Sequence, residues 1–107
     1  MTGEGRMGRE STVERNVCRK AFKLHGIRNH KLQGAGGAGN EDRLFYRSVG
    51  GRPVAAFVEF KRLNEKPRKL QEHRMKIHQM EGFPTAWFDN ETDALNWLKV
   101  VFDCAHE

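Results

Sequence analysis

Three charged residues stand where a small mixed sheet could bring them together. Glu59 and Lys61 lie two residues apart at the end of the apolar stretch from Pro53 to Lys61. Alternate side chains of a β-strand point to one face, so a strand here places the carboxylate and the ammonium on the same side. Asp42 begins a second predicted strand, which a turn at Gly50 and Gly51 folds back towards Glu59. The pattern predicts two carboxylates and one lysine at a strand end.

Two crowded carboxylates repel each other unless a cation lies between them. Hard oxygen ligands suit Mg²⁺ or Mn²⁺, which keep several waters and are completed by substrate phosphates. Lys61 could then orient or help deprotonate an attacking water and stabilise the charge that develops on phosphorus. The simpler alternative is a structural ion pair between Glu59 and Lys61 at the strand end. The residues alone leave both interpretations open.

Length and charge restrict the class of protein that could carry such a site. The chain has 107 residues, enough for one small domain, and 19 Lys and Arg against 14 Asp and Glu give a net charge of +5. A basic balance is typical of a chain that meets a polyanion, although an unspecialised basic surface looks the same. No apolar run reaches the roughly 18 residues that a membrane span needs. We therefore expect a cytoplasmic protein without a membrane partner. Cys18 and Cys104 stand alone, which indicates neither a disulfide framework nor a zinc knuckle.

The elements that must position these residues alternate between helix and strand. A capping box from Ser11 to Glu14 opens the first predicted helix, and one apolar face follows at helical spacing. That face comprises Val13, Val17, Ala21 and Leu24. Two strands follow, "GIRNHKL" and "RLFYRSV", and then the strand from Pro53 to Lys61, which we expect at the centre of the sheet because it is apolar on both faces.

The second half of the chain predicts a parallel crossover. Pro67 suits the first turn of a helix whose apolar stripe comprises Leu70, Ile77 and Met80, and "PTAWF" is a short strand. Asn90 caps a last helix, with a stripe comprising Ala94, Trp97, Leu98 and Val101. The predicted fold class is α/β, a small mixed sheet flanked by helices in the order α-β-β-β-α-β-α. We expect residues 1–10 to form a flexible segment and residues 11–107 a single domain.

Asp42 followed by Glu59, Phe60 and Lys61 resembles the core motif of the PD-(D/E)xK nuclease superfamily. Within that superfamily, the region from Val13 to Trp87 is similar to the stand-alone VRR-NUC domains of phages and bacteria. The further matches are an acidic residue in the first helix, a Gly-rich run before the Asp, and a Gln one turn into the next helix. The resemblance implies a restriction-endonuclease-like fold, a Mg²⁺- or Mn²⁺-dependent DNA endonuclease activity and a homodimer.

The resemblance also implies roles for individual residues. Asp42, Glu59 and the backbone carbonyl of Phe60 would bind metal, with Glu14 as a further acidic ligand. Lys61 would be the catalytic lysine, and the helix residue Gln71 would position the site. The sequence departs from the family where Asn40 and Glu41 precede Asp42 in place of the usual proline, so Glu41 competes with Asp42 as the ligand. Glu14 has the capping box as an alternative role, and Gln71 could be a solvated helix residue.

The glycine-rich stretch before Asp42 lacks the Lys and the following helix of a phosphate-binding P-loop. Its glycines could let a nucleic-acid backbone approach the metal, or the stretch could be a plain connector. Candidate nucleic-acid-binding residues are Gly36, Gly37, Gly39, Arg43, Arg62, Lys66, Arg68 and Lys69, with Arg47 also on the strand that partners the catalytic strand. His73 and His78 are expected at the surface, and the aromatic residues Phe57, Trp87, Trp97 and Phe102 in the core.

The sequence thus predicts hydrolysis of DNA phosphodiester bonds by metal-activated water, with a possible preference for branched or junction DNA. The alternative is a non-catalytic nucleic-acid-binding domain or a subunit of a larger nucleic-acid-processing complex. The choice between DNA and RNA stays open at this point.

Overall fold

A computed structural model describes residues 10–32 and 41–104 of the chain. Its elements, in chain order, are α1 (Glu10–His25), β1 (Arg28–Lys31), β2 (Arg43–Val49), β3 (Arg52–Phe60), α2 (Lys69–Met80), β4 (Thr85–Phe88) and α3 (Glu91–Val101). This order confirms the predicted α/β arrangement of a small mixed sheet with three helices.

The four strands form one sheet in the order β1-β2-β3-β4. β1 and β2 are antiparallel, as are β2 and β3, whereas β3 and β4 are parallel and are joined through α2. Gly50 and Gly51 form the predicted hairpin turn with φ of +58° and +81°. Two successive positive φ values suit the twist of a two-residue hairpin and favour glycine at both positions.

β3 lies between β2 and β4 in the sheet, so it is an interior strand, as its apolar sequence predicts.

Side-chain alternation along β3 gives the sheet two different faces. Ala56, Val58 and Phe60 are fully buried on the face that α1 and α3 cover, where they join the hydrophobic core. Phe57 and Glu59 point to the other face, where they contact residues of α2. The core thus lies on the α1 side of the sheet, and the predicted site residue Glu59 lies on the α2 side.

The first helix follows the prediction along most of its length. Val13, Val17 and Ala21 are buried, but Leu24 is 65% exposed because the helix ends at His25 and its last turn extends past the core. The predicted capping box is wrong, since α1 begins at Glu10 and includes Ser11. The Glu14 carboxylate is bound instead by a side chain of β2.

The predicted apolar stripe of the second helix is wrong. Leu70 and Ile77 are exposed, and Met80 is 81% exposed, whereas Gln71 and Met75 are buried against the sheet. The physical reason lies beneath the helix, where the charged end of β3 requires a hydrogen-bonding side chain. The helix also starts later than Pro67 predicts, at Lys69.

The last helix agrees with its sequence. The side chain of Asn90 accepts a hydrogen bond from the backbone N–H of Asp93 at 2.9 Å, which is the predicted cap. Ala94 and Leu98 are buried, and Trp97 packs on Phe88 of β4. Cys18 and Cys104 are free thiols. In the part of the chain that the structure describes, no helix combines the length and apolarity needed to cross a membrane.

Candidate active site

Asp42 lies beside the backbone of β3, next to Glu59, at the end of the β2–β3 hairpin. Arg43 pairs with Val58, and the backbone N–H of Asp42 donates to the same Val58 carbonyl at 3.1 Å, so the regular pairing of β2 with β3 ends at Arg43. The carboxylate of Asp42 is oriented by the backbone N–H of Phe60, which donates to Oδ2 at 2.7 Å.

Glu59 is buried and held on one oxygen by two side chains. The residue is 3% exposed, and its Oε2 lies 3.2 Å from the Lys61 ammonium and 2.9 Å from Gln71 Nε2, which donates to it. Lys61 is itself only 8% exposed. Buried charges of this kind require partners, and each here has the other. The structure therefore brings three of the predicted residues, Glu59, Lys61 and Gln71, into direct contact, and Asp42 accepts the backbone N–H of the intervening Phe60.

Gln71 is fixed from both ends of its amide group. Its Oε1 accepts the backbone N–H of Arg68 at 2.9 Å, which caps the start of α2, and this leaves Nε2 directed at Glu59. The alternative interpretation of Gln71 as a solvated helix residue is wrong, because the residue is buried. The Gln71 side chain therefore links the start of α2 to β3.

Glu41 and His78 form a pair that the sequence analysis did not predict. Glu41 is 1% exposed, and its Oε2 lies 2.9 Å from Nδ1 of His78, whose ring stacks on Phe57 at a centroid distance of 3.9 Å. His78 is thus not a surface histidine, although His73 is exposed as expected. Helical spacing could have revealed the burial of His78. Gln71, Met75 and His78 stand at positions i, i+4 and i+7, which lie on one face of a helix.

The position of Glu41 bears on the choice of acidic residue. Glu41 Oε2 is engaged by His78, whereas Asp42 Oδ2 accepts the backbone N–H of Phe60, the residue between Glu59 and Lys61. Among the described residues, no hydrogen-bond partner lies near Glu41 Oε1. This geometry favours Asp42 as the carboxylate that acts with Glu59.

Glu14 lies on the other face of the sheet. Its Oε2 accepts a hydrogen bond from Arg43 Nε at 2.6 Å and lies 3.9 Å from the Lys31 ammonium. Arg43 faces α1, as its hydrogen bond to Glu14 shows. The contacts of Glu14 therefore join it to basic residues of β1 and β2, and none of these contacts links it to Asp42 or Glu59.

The predicted basic residues divide into two groups. Four are exposed and follow the catalytic strand, namely Arg62, Lys66, Arg68 and Lys69. Arg47 has a structural role, since its guanidinium donates to the carbonyls of His25 and Phe102 at 2.6 Å. Gly36, Gly37 and Gly39 lie outside the described residues.

The aromatic residues predicted for the core occupy several environments. Phe102 is fully buried in the core, while Trp97 packs beside it in part. Phe57 and Trp87 are half-buried on the α2 face of the sheet. Phe57 is covered by His78 and by the edge of Phe83, so its ring has aromatic neighbours on that face.

The donor set suits a hard divalent cation only through a small number of protein ligands. No group of three or more His, Cys, Asp or Glu within residues 10–32 and 41–104 is arranged to hold a metal ion. Mg²⁺ is commonly bound by one or two carboxylates, with waters and substrate phosphates completing its shell. Asp42 and Glu59 supply two carboxylates at the same end of the hairpin, which fits this mode of binding. The contact made by Phe60 is through its amide N–H, while the resemblance implies its carbonyl as a ligand.

Comparison with solved structures places this architecture. A structure described as "VRR_NUC domain protein" superposes with a TM-score of 0.71, covers 88% of each chain and shares 14% sequence identity with this one. The chain has a VRR-NUC-type fold. No protein-family model matches the sequence, and no curated protein matches it. At this identity the likeness concerns the fold, and the predicted resemblance is confirmed at that level.

Proposed function

We propose that this chain is a metal-dependent endonuclease that hydrolyses phosphodiester bonds in DNA. One observation carries the proposal: a VRR-NUC-type fold in which Asp42, Glu59 and Lys61 meet at the end of the β2–β3 hairpin, with Gln71 bound to the central carboxylate. These are the residues that the sequence motif singles out: Lys61 and Gln71 both contact the Glu59 carboxylate, and Asp42 accepts the N–H of Phe60. Fold alone does not imply function, so the argument rests on this arrangement.

The reaction we propose is an attack of water on phosphorus. Water adds to the phosphorus atom, the bond to the leaving oxygen breaks, and that oxygen takes up a proton, which gives one phosphate end and one hydroxyl end. Lys61 orients the water and stabilises the negative charge that develops on the phosphoryl oxygens. Glu59 and Gln71 hold the Lys61 ammonium and the α2 start in place. A site fixed in this way needs little reorganisation during the reaction.

Asp42 and Glu59 would hold Mg²⁺, or Mn²⁺ in its place. When bound, the ion would lower the pKa of the attacking water and neutralise phosphate charge. The Phe60 amide orients the Asp42 carboxylate for this task, and Gln71 orients that of Glu59. We keep Glu14 as a candidate only for a role on the α1 face, because its contacts are with Arg43 and Lys31.

The second candidate is a nucleic-acid-binding domain without catalysis. It is favoured by the observation that the described part of the chain has no group of three metal-binding side chains. On this interpretation Glu59 and Lys61 form a buried ion pair that stabilises the strand end. Metal ions would then change neither DNA binding nor DNA integrity.

The decisive experiment is cleavage of supercoiled plasmid and of synthetic branched DNA with Mg²⁺, Mn²⁺ or EDTA. Lys61→Ala is compared with the wild type and with Lys99→Ala, which removes an exposed charge from α3 on the opposite side of the molecule. We expect metal-dependent nicking by the wild type and Lys99→Ala, and a loss of about 100-fold or more in Lys61→Ala.

Three results would contradict the proposal. Equal activity in all three preparations would indicate a contaminating nuclease, and nicking in EDTA would contradict metal dependence. DNA binding without cleavage of any substrate would favour the second candidate. In our proposal the residues of the site contact only the phosphate, which DNA and RNA share. A parallel assay with RNA of the same sequence therefore tests the choice of DNA as substrate.

The proposal includes a homodimer, for which the outer surface of α2 gives some support. Leu70, Ile77 and Met80 are exposed along this helix, and Phe83 follows it. Exposed apolar side chains in one region are typical of a surface that contacts another protein. Sedimentation velocity of the wild type and of Ile77→Glu would show whether a dimer forms and whether this surface holds it.

A further inference from the structure

An open groove of about 710 Å³ lies between α1 and the strands β1 and β2. One wall is the face of α1 that carries Ser11, Arg15, Cys18 and Phe22, which are spaced at i, i+4, i+7 and i+11. The other wall comprises polar residues of the sheet, namely Asn29, Lys31 and Arg43. The groove is on the face of the sheet opposite to Glu59 and Lys61.

Positive charge dominates the groove. Among the described residues that line it, four are cations, Arg15, Arg19, Lys31 and Arg43, and one is an acid, Glu14. Glu14 already shares its carboxylate between Arg43 and Lys31. Arg15 and Arg19 lie one helical turn apart and are exposed along the wall of the groove.

The floor of the groove is a fixed network. Arg43 donates from Nε to Glu14 and from Nη1 to Asn29 Oδ1 at 2.6 Å and 2.9 Å. This network holds the guanidinium plane in place between α1 and β1. Phe22 forms one end of the groove and is half exposed, with the Arg28 guanidinium 5.3 Å from its ring centre. Exposed cations next to an accessible aromatic ring are typical of surfaces that bind nucleic-acid strands.

The groove and the candidate active site share one end of the sheet. Arg43 in the groove directly follows Asp42 in the candidate active site. A nucleic acid cut at Asp42 and Glu59 therefore has the basic groove close to it, because one residue of the groove is the chain neighbour of Asp42.

We propose that this groove is a second nucleic-acid-binding site, in which Arg15, Arg19 and Lys31 bind phosphates of a substrate strand away from the bond that is cut. The proposal rests on the proposed function, because it takes nucleic acid as the substrate. It assigns the groove to a strand on the α1 face, separate from the residues that react. An acidic protein segment is the other occupant that the charges would accept, and the test distinguishes it.

The test compares two double variants with the same loss of charge. Arg15→Ala with Arg19→Ala removes two cations from the groove, whereas Lys23→Ala with Lys99→Ala removes two exposed cations that do not line it. Binding of a fluorescently labelled branched DNA is measured by anisotropy in EDTA over a range of salt concentrations. Circular dichroism and thermal melting confirm that both variants fold.

We expect about tenfold weaker binding by the groove variant, and a slope of log affinity against log salt that falls by about 2 in magnitude, because two phosphate contacts are lost. The control variant should change both quantities much less. Equal weakening of DNA binding in the two variants would show that the groove cations contribute only through the net charge of the protein, and this result would overturn the proposal. Unchanged binding by the groove variant would also overturn the proposal and would favour an acidic protein segment as the occupant. The absence of DNA binding by the wild type would overturn it as well.

The outcome is separable from that of the cleavage assay. If the groove variant selectively loses DNA binding and the wild type cuts no DNA, the groove proposal stands and the nuclease proposal is overturned. Metal-dependent cleavage by the wild type with no selective loss overturns the groove alone.

Discussion

On the face covered by α2 the charged side chains are buried in fixed contacts, whereas on the face covered by α1 most of them line an open groove. Glu59 and Lys61 are both buried at the end of β3, and Glu41 is buried behind them. Across the sheet, Arg15 and Arg19 extend along the surface of α1. The two faces thus use similar residue types in different surroundings.

This difference matches two kinds of task. A group that acts on a reacting atom must be held in one geometry, and burial with hydrogen bonds to the backbone and to Gln71 achieves that. A group that neutralises a polyanion needs access to solvent and to the ligand rather than a fixed geometry. We therefore assign the chemistry to the α2 face and a share of the binding to the α1 face.

The strongest way to break this comparison is to remove the central carboxylate of the α2 face. In Glu59→Gln the side chain keeps its shape but loses the charge that pairs with Lys61. We expect cleavage to fall by about 100- to 10,000-fold, since both ion binding and the position of Lys61 depend on this group. Plasmid nicking rates measure the effect. Glu72→Gln, an exposed residue of α2, is the control, and a similar loss in that variant would contradict the assignment.

The second prediction concerns the buried pair behind the active site. In His78→Ala the Glu41 carboxylate loses its partner and the Phe57 ring loses its cover. Removing the hydrogen-bond partner of a buried carboxyl group leaves that group unsatisfied, so we expect a loss of about 2 kcal/mol in the free energy of unfolding. Urea denaturation measures it. His73→Ala on the exposed side of the same helix should change stability by less than about 0.5 kcal/mol.

The third prediction tests how closed the α1 wall of the groove is. Burial raises the pKa of the Cys18 thiol to about 11, although the Arg43 guanidinium acts in the opposite direction. Because the thiolate is the reactive form, iodoacetamide at pH 8 should modify Cys18 about 100-fold more slowly than an unhindered cysteine of pKa 9.0. Peptide mass spectrometry follows the reaction. Rapid modification would show that the wall is open to solvent at Cys18.

The smallest expected effect sharpens the boundary between the two faces. Glu14→Ala removes the acid that pairs with Arg43 and Lys31, so the groove becomes more positive. We expect cleavage to stay within about threefold of the wild type, and DNA binding to tighten slightly. A loss of cleavage comparable to that of Glu59→Gln, in a variant that melts normally, would instead place Glu14 in the metal site as the family resemblance implies.

The order of elements could be predicted because it depends on local signals. The glycine pair at Gly50 and Gly51 can adopt positive φ, Asn90 can cap a helix, and an apolar run can be an interior strand, whatever the rest of the chain does. The errors at α1 and α2 arose where a distant partner overrides the local pattern. Arg43 binds Glu14 away from its capping role, and the polar strand end selects Gln71 over Leu70 for burial.

The sequence by itself determined which residues could do chemistry. The spacing of Glu59 and Lys61 directs both to one face of a strand, since alternation is a local property of the backbone. The hairpin turn and the position of Asp42 before its strand give the third member, and all three belong to the proposed site.

The further members of the site depend on long-range packing. Burial of Gln71 against Glu59, the pairing of Glu41 with His78, and the place of Glu14 on the far face depend on how α1 and α2 lie on the sheet. Gln71 and Glu59 are 12 positions apart in the chain, and Glu41 and His78 are 37 positions apart. Glu14 and its partner Arg43 are 29 positions apart. Helix orientation follows from the sum of many weak packing contacts, which no single motif encodes.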